Sequence, residues 1–129
     1  MAGEMKARLF FLRRLCYNDK IEEHMEVHML DERIRNEQVD DLAEAMLAIQ
    51  NREEAYLLFE DIFTIKELQA VAQRLAVARM LKRKVTYQEI AEKTGASTAT
   101  ISRVNRSLTY GAGGYQLVLG RMPQDEDAD

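Results

Sequence analysis

At 129 residues the chain fits one domain, or one domain with an extension. Apolar residues are 47% of it and charged residues 31%, the balance of a soluble globular protein, and no run nears the ~20 apolar residues of a membrane-spanning helix. The net charge of −4 argues on its own against a nucleic-acid partner.

That average hides a division along the chain. Residues 1–63 hold 8 Lys and Arg against 15 Asp and Glu, residues 64–121 hold 10 against 3, and the tail 122–129 holds four acids and no base. A basic segment beside an acidic one is a directional signal: one face can attract a polyanion while the rest keeps the protein in solution. An ordinary solvated basic face is the plainer reading of the same split.

In chain order, residues 1–36 are the least readable. KARLFFLRRL and EEHMEVHMLDERIR are helix-compatible without clean caps. LFFL at 9–12 is too short for a secretory core, and RR follows at once, so a cytoplasmic location is expected. Met5, Met25 and Met29 could each begin a chain, and some of residues 1–24 is expected to be an extension outside the folded core. Cys16 stands alone, which excludes an intrachain disulfide. His24 and His28 lie one helical turn apart, yet no further ligand completes a metal site, so no metal is expected.

From Val39 the pattern sharpens. VDDLAEAMLAIQN puts Val39, Leu42, Ala43, Met46, Leu47 and Ile49 near one face at helical spacing. NREEAYLLFEDIF then restarts, with Asn51 and Glu54 spaced like a capping box, and its Tyr56, Leu57, Leu58, Phe59, Ile62 and Phe63 are apolar on several sides. A small monomer can hardly bury such a helix, which points to a dimer. Thr64 and Glu67 predict a capping box for a long helix with a stripe of Leu68, Val71, Ala72, Leu75, Ala78 and Leu81 or Met80, ending in Lys82, Arg83 and Lys84.

Thr86 to Glu89 repeats the T-x-x-E pattern, Gly95 marks a helix end, and Ser97 or Thr98 caps a new helix. Ile90 and Ala91 point inward from the first helix, and Ile101, Val104 and Leu108 from the second. Helices this short do not persist alone. Two that pin each other, with one projecting, form a helix-turn-helix, whose second helix enters the DNA major groove; a plain helical hairpin would share part of the pattern. Thr98, Ala99, Ser102, Arg103 and Arg106 form an outward face of small, hydroxylic or cationic residues. Thr and Ala methyls can touch a thymine methyl. Lys82, Arg83, Lys84, Thr86, Gln88 and Ser97, with Arg103 and Arg106, suit phosphates and the rim of a groove.

GASTATISRVNRSL, preceded by TYQEIAEKT and TIKELQAVAQRLAVARMLKRK, resembles the tryptophan repressor superfamily, and within it the bacterial tryptophan repressor-related branch. The similarity runs from about Val39 to Leu119 and is strongest over Thr86–Leu108. It implies an all-α fold, an intertwined helical homodimer with its N-terminal helices exchanged across the two-fold axis. The expected organisation is an N-terminal extension over 1–36, a helical DNA-binding domain over 37–121 with the helix-turn-helix at 86–108, and an acidic disordered tail over 122–129.

In the tryptophan-binding member two arginines sandwich the indole. The resemblance places Arg103 at one and, across a one-residue gap, Arg74 at the other, with Thr64, Thr100 and Ser107 matching hydroxyl positions of that effector pocket. Val104 stands where that protein has glycine. A valine there should fill the indole's room, at a cost to binding of about 1–3 kcal/mol or more. Tryptophan is therefore not expected as corepressor; a smaller ligand, or none, is expected.

Three functions follow in order. The first is a sequence-specific transcriptional regulator, a repressor, binding a pseudopalindromic operator in double-stranded DNA as a homodimer. The second is a helical dimeric protein-interaction module without DNA readout, which the acidic N-terminal half favours. Enzyme comes last: no paired carboxylates, nucleophile–base set or phosphate loop is present, and GAGG at 111–114 reads as a joint before a last short helix, YQLVLGRM.

Overall fold

The computed structural model describes residues 34–124. The expectations for residues 1–24, Cys16, the His24–His28 pair and the acids from Asp125 onward lie outside the described residues. Six α-helices and no strand make up the described residues: α1 Glu37–Ala48, α2 Arg52–Ile62, α3 Ile65–Lys82, α4 Tyr87–Thr94, α5 Thr98–Tyr110 and α6 Gly114–Arg121. None is long and apolar enough to cross a membrane.

The chain divides into two compact units, 1–43 and 44–129. In the first, the described residues are the start of α1. Asn36, which the sequence reading passed over as a cap, accepts the Val39 amide through its side chain at 2.9 Å. None of the α1 residues is buried, and the helix ends before Ile49, which the apolar pattern had placed on its face.

In the second unit the starts of α2 to α5 each have a local cause. Asn51 accepts the Glu54 amide, and Glu54 reaches back to the Gln50 amide at 2.8 Å, one residue before the position a strict capping box would use. Thr64 and Glu67 form the full reciprocal box. Hydrogen bonds from the Thr64 amide and hydroxyl hold the Glu67 carboxyl below the ordinary glutamate range. The box is therefore complete above that range and opens as pH falls through the lowered value. Thr86 caps α4 through the Glu89 amide, while the Glu89 carboxylate runs forward to Lys93 at 2.7 Å.

The core gathers where the C-terminal half of α3 meets α4, α5 and α6: Val77, Ala78, Leu81, Ile90, Ala96, Ile101, Val104 and Leu119. Leu75, Met80, Val85, Ala91, Leu108 and Tyr115 pack around it. The α3 stripe read from the sequence is corrected at two places within it. Val71 and Ala72 are exposed, and Val77, absent from that stripe, is fully buried. Three helices surround this end of α3, so the buried arc is wider than one stripe. No α3 residue before Val77 is buried among the described residues.

The α4–α5 corner is set by one residue. Gly95 has φ +70°, a left-handed conformation that costs a residue with a Cβ about 1–2 kcal/mol, and its amide bonds Ala91 O. The Gln73 side chain spans from α3 to Thr94 O at 3.0 Å, and the Thr94 hydroxyl bonds both Ile90 O and the Ala96 amide. Ser97, rather than Thr98, caps α5.

Candidate nucleic-acid interface

The buried side of α5 fixes what its other side presents. Ile101 and Val104 are in the core and Leu108 is half-buried. At 3.6 residues per turn this turns Thr98, Ala99, Ser102, Arg103 and Arg106 outward, and all five are exposed. No acidic residue lies in the first turn of α5, so its helix-dipole positive end is not offset locally. Thr98, Ala99 and Ser102 occupy that first turn and a half. Small side chains there let the backbone approach a partner closely.

Ser97 and Thr86 are committed differently. The Ser97 hydroxyl donates to Thr100 Oγ1 at 3.1 Å and accepts the Thr100 amide, and the Thr86 hydroxyl accepts the Glu89 amide. Both still stand exposed at helix N-termini, where neighbouring amides face a ligand. Gln88 is exposed on α4 and bonds Glu92 at 3.4 Å.

The Lys82–Lys84 run ends α3 in a way the sequence reading missed. Lys84 has φ +63°, the one non-glycine with positive φ among the described residues. The Val85 amide bonds Met80 O at 3.1 Å and the Lys84 amide bonds Leu81 O at 3.0 Å, which is the Schellman pattern, and Val85 and Met80 both pack on the core. Glycine is the usual occupant of such a site. A lysine there stores strain and turns a cation off the helix end, just before the amino end of α4. The only signal in the sequence is the K-V-T that follows the helix, with no glycine to mark the stop.

Two of the effector positions, Thr64 and Arg74, stand apart within one chain. Thr64 and Arg74 are both exposed on α3, ten residues apart, which at about 1.5 Å per residue is roughly 15 Å along the axis. The Thr64 hydroxyl is held by Glu67. Thr100 is half-buried against Ser97, and Arg103 and Ser107 are exposed on α5. Val104 is 2% exposed, its side chain filling the helix crossing.

The described residues thus form an all-helical body that packs α5 against α3 and α4 and leaves its hydroxylic side outward. Residues 37–123 match the family described as Trp repressor protein. The chain is 46% identical to the uncharacterized protein YerC of Bacillus subtilis over 95 residues, 74% of this chain and 91% of that one. It is similar to a crystal structure described as a candidate Trp repressor from Staphylococcus aureus, at 47% identity and a TM-score of 0.69, covering 74% of this chain and 95% of that chain. It is likewise similar to a TrpR-like protein from Eubacterium eligens, at 48% identity and a TM-score of 0.67, covering 73% and 100%. The chain belongs to the Trp repressor family, and its fold is that of Trp repressor-like proteins.

Lys84 yields a direct test. Lys84→Gly should raise folding stability by about 0.5–1 kcal/mol, read as a higher urea midpoint at unchanged m-value, because relief of the left-handed strain exceeds the added freedom of the unfolded chain. A fall in the midpoint would contradict the strained-cap reading.

Proposed function

We propose that the protein is a sequence-specific DNA-binding transcriptional repressor that acts as a homodimer on a pseudopalindromic operator in the cytoplasm. The observation that carries this reading is the two-sided α5: Ile101 and Val104 are locked inside, and Thr98, Ala99 and Ser102 stand outside on its first turns. In this reading Thr98, Ala99 and Ser102 meet base edges. Lys82, Arg83, Lys84, Thr86, Gln88, Ser97, Arg103 and Arg106 meet phosphates and set the register.

The second copy is supported by apolar surface that one chain leaves in water. Tyr56 and Leu57 are each 65% exposed and Ile65 is 77% exposed, with Ile62 and Val71 beside them in sequence. Exposed apolar side chains concentrated on the same helices mark an association surface. An intertwined dimer would cover them, and would set two α5 helices about 34 Å apart, one turn of DNA.

DNA selected from a random pool by the purified protein supplies the operator. Thr98→Ala with Ser102→Ala should lose discrimination of about 1–3 kcal/mol per contact removed, with folding intact because both positions are exposed. Binding of the unaltered protein should fall steeply with salt as counterions are released. Unchanged discrimination in the double variant would contradict base reading by α5. It would favour the protein-interaction reading, for which the acidic N-terminal half is the support.

No tryptophan corepressor is part of this proposal. Arg74, Arg103, Thr100, Ser107 and a Thr64 supplied by the second copy would frame an effector pocket, but Val104, 2% exposed, stands where the resemblance puts a glycine and would take the room an indole needs. Calorimetry with tryptophan at millimolar concentration should give no resolved heat of binding. Micromolar affinity would contradict the occupied-pocket argument.

A further inference from the structure

The C-terminal ends of α3 and α6 enclose a cleft in which two of the proposed phosphate-binding cations also stand. It is lined by Arg79, Lys82 and Arg83 from one side and by Leu119, Met122, Pro123 and Gln124 from the other. Lys82 reaches across it. Its Nζ lies 4.0 Å from where a Cβ would stand on Gly120, which places the ammonium beside the last turn of α6. That turn carries the negative end of the helix dipole, which favours a cation there.

The chain leaves α6 along this cleft. Met122 is extended, as the residue before Pro123 must be, and the Gln124 side chain turns back to Leu119 O at 3.3 Å. Gln124, the last described residue, therefore stands at the cleft wall. The next five residues are Asp125, Glu126, Asp127, Ala128 and Asp129, four carboxylates in a span of up to about 17 Å.

We propose that this acidic segment docks on the Arg79–Lys82–Arg83 cleft of its own chain and competes there with DNA phosphates. This regulation rests on the DNA-binding reading above, whereas the docking itself does not. Three observations support it: charge complementarity, a tether that begins at the site, and Lys82 and Arg83 being shared by the cleft and the proposed phosphate contacts. A linker this short gives an effective concentration of about a millimolar or more, enough for weak ion pairs to keep the cleft largely occupied. Phosphates must then displace the tail, and the protein is held in check until a strong operator outcompetes it.

The test keeps the full chain. In one variant Asp125→Asn, Glu126→Gln, Asp127→Asn and Asp129→Asn neutralise the tail. In a control, Glu37→Gln, Asp40→Asn, Asp41→Asn and Glu44→Gln remove the same charge from exposed positions of α1. At low salt the tail variant should bind DNA about fivefold more tightly than the unaltered protein, and the α1 control less than about twofold more tightly. Equal gains would reduce the effect to net charge and overturn the competition. Docking has its own readout without DNA. Lys82 should be acetylated by a small amine-reactive ester about threefold faster in the tail variant, with Lys66 and Lys93 unchanged. An unchanged Lys82 rate would overturn the docking. If neither protein bound DNA, the regulator reading would fall while the Lys82 rate still decided where the tail lies.

Discussion

The packing of Ile90, Ile101 and Val77 is the constraint on which the rest depends. All three are fully buried, one each from α4, α5 and α3, and burying side chains of this size stabilises by about 1.5–3 kcal/mol apiece. Neither α4, with 8 residues, nor α5, with 13, would hold its shape alone. Pinned at this crossing, they gain a fixed angle. Gly95 then makes the corner, and Gln73 ties the end of α4 back to α3. The orientation of Thr98, Ala99 and Ser102 follows from the core rather than from any contact of their own.

The other half of the logic is what this core leaves out. The buried set occupies α3 from Val77 onward and the helices after it, and α1 and α2 bury none of their residues. Their large apolar side chains are the counterpart of the compact corner. In the proposed dimer they supply the association surface and α5 supplies the readout. Charge follows the same partition: acids dominate before Thr64 and bases from Thr64 to Arg121, so attraction for a polyanion is concentrated on the half that carries α5.

Much of this was legible in the sequence because local rules and tertiary packing agree there. The Thr64–Glu67 box, the Thr86 cap, the left-handed Gly95 and the inward Ile90, Ile101 and Val104 are each set by chemistry within a few residues. Asn36 was missed because its acceptor role shows only once the helix start is placed. Val77 was missed because a single-stripe reading assumes one packing partner, whereas the end of α3 has three. Lys84 was missed because its left-handed turn is imposed by Val85 and Met80 packing, against the residue's own preference. The effector positions were legible only by resemblance. Helix geometry separates Thr64 from Arg74, so no local pattern could have joined them.

The central claim is that α5 reads DNA in company with its symmetry mate. Hydroxyl-radical footprinting on a selected operator tests it most directly. The account predicts two protected patches on one face of the duplex, centred about 34 Å, or roughly ten base pairs, apart and related by the site's pseudo-two-fold. A single patch, or protection spread evenly along the duplex at every sequence, would contradict it.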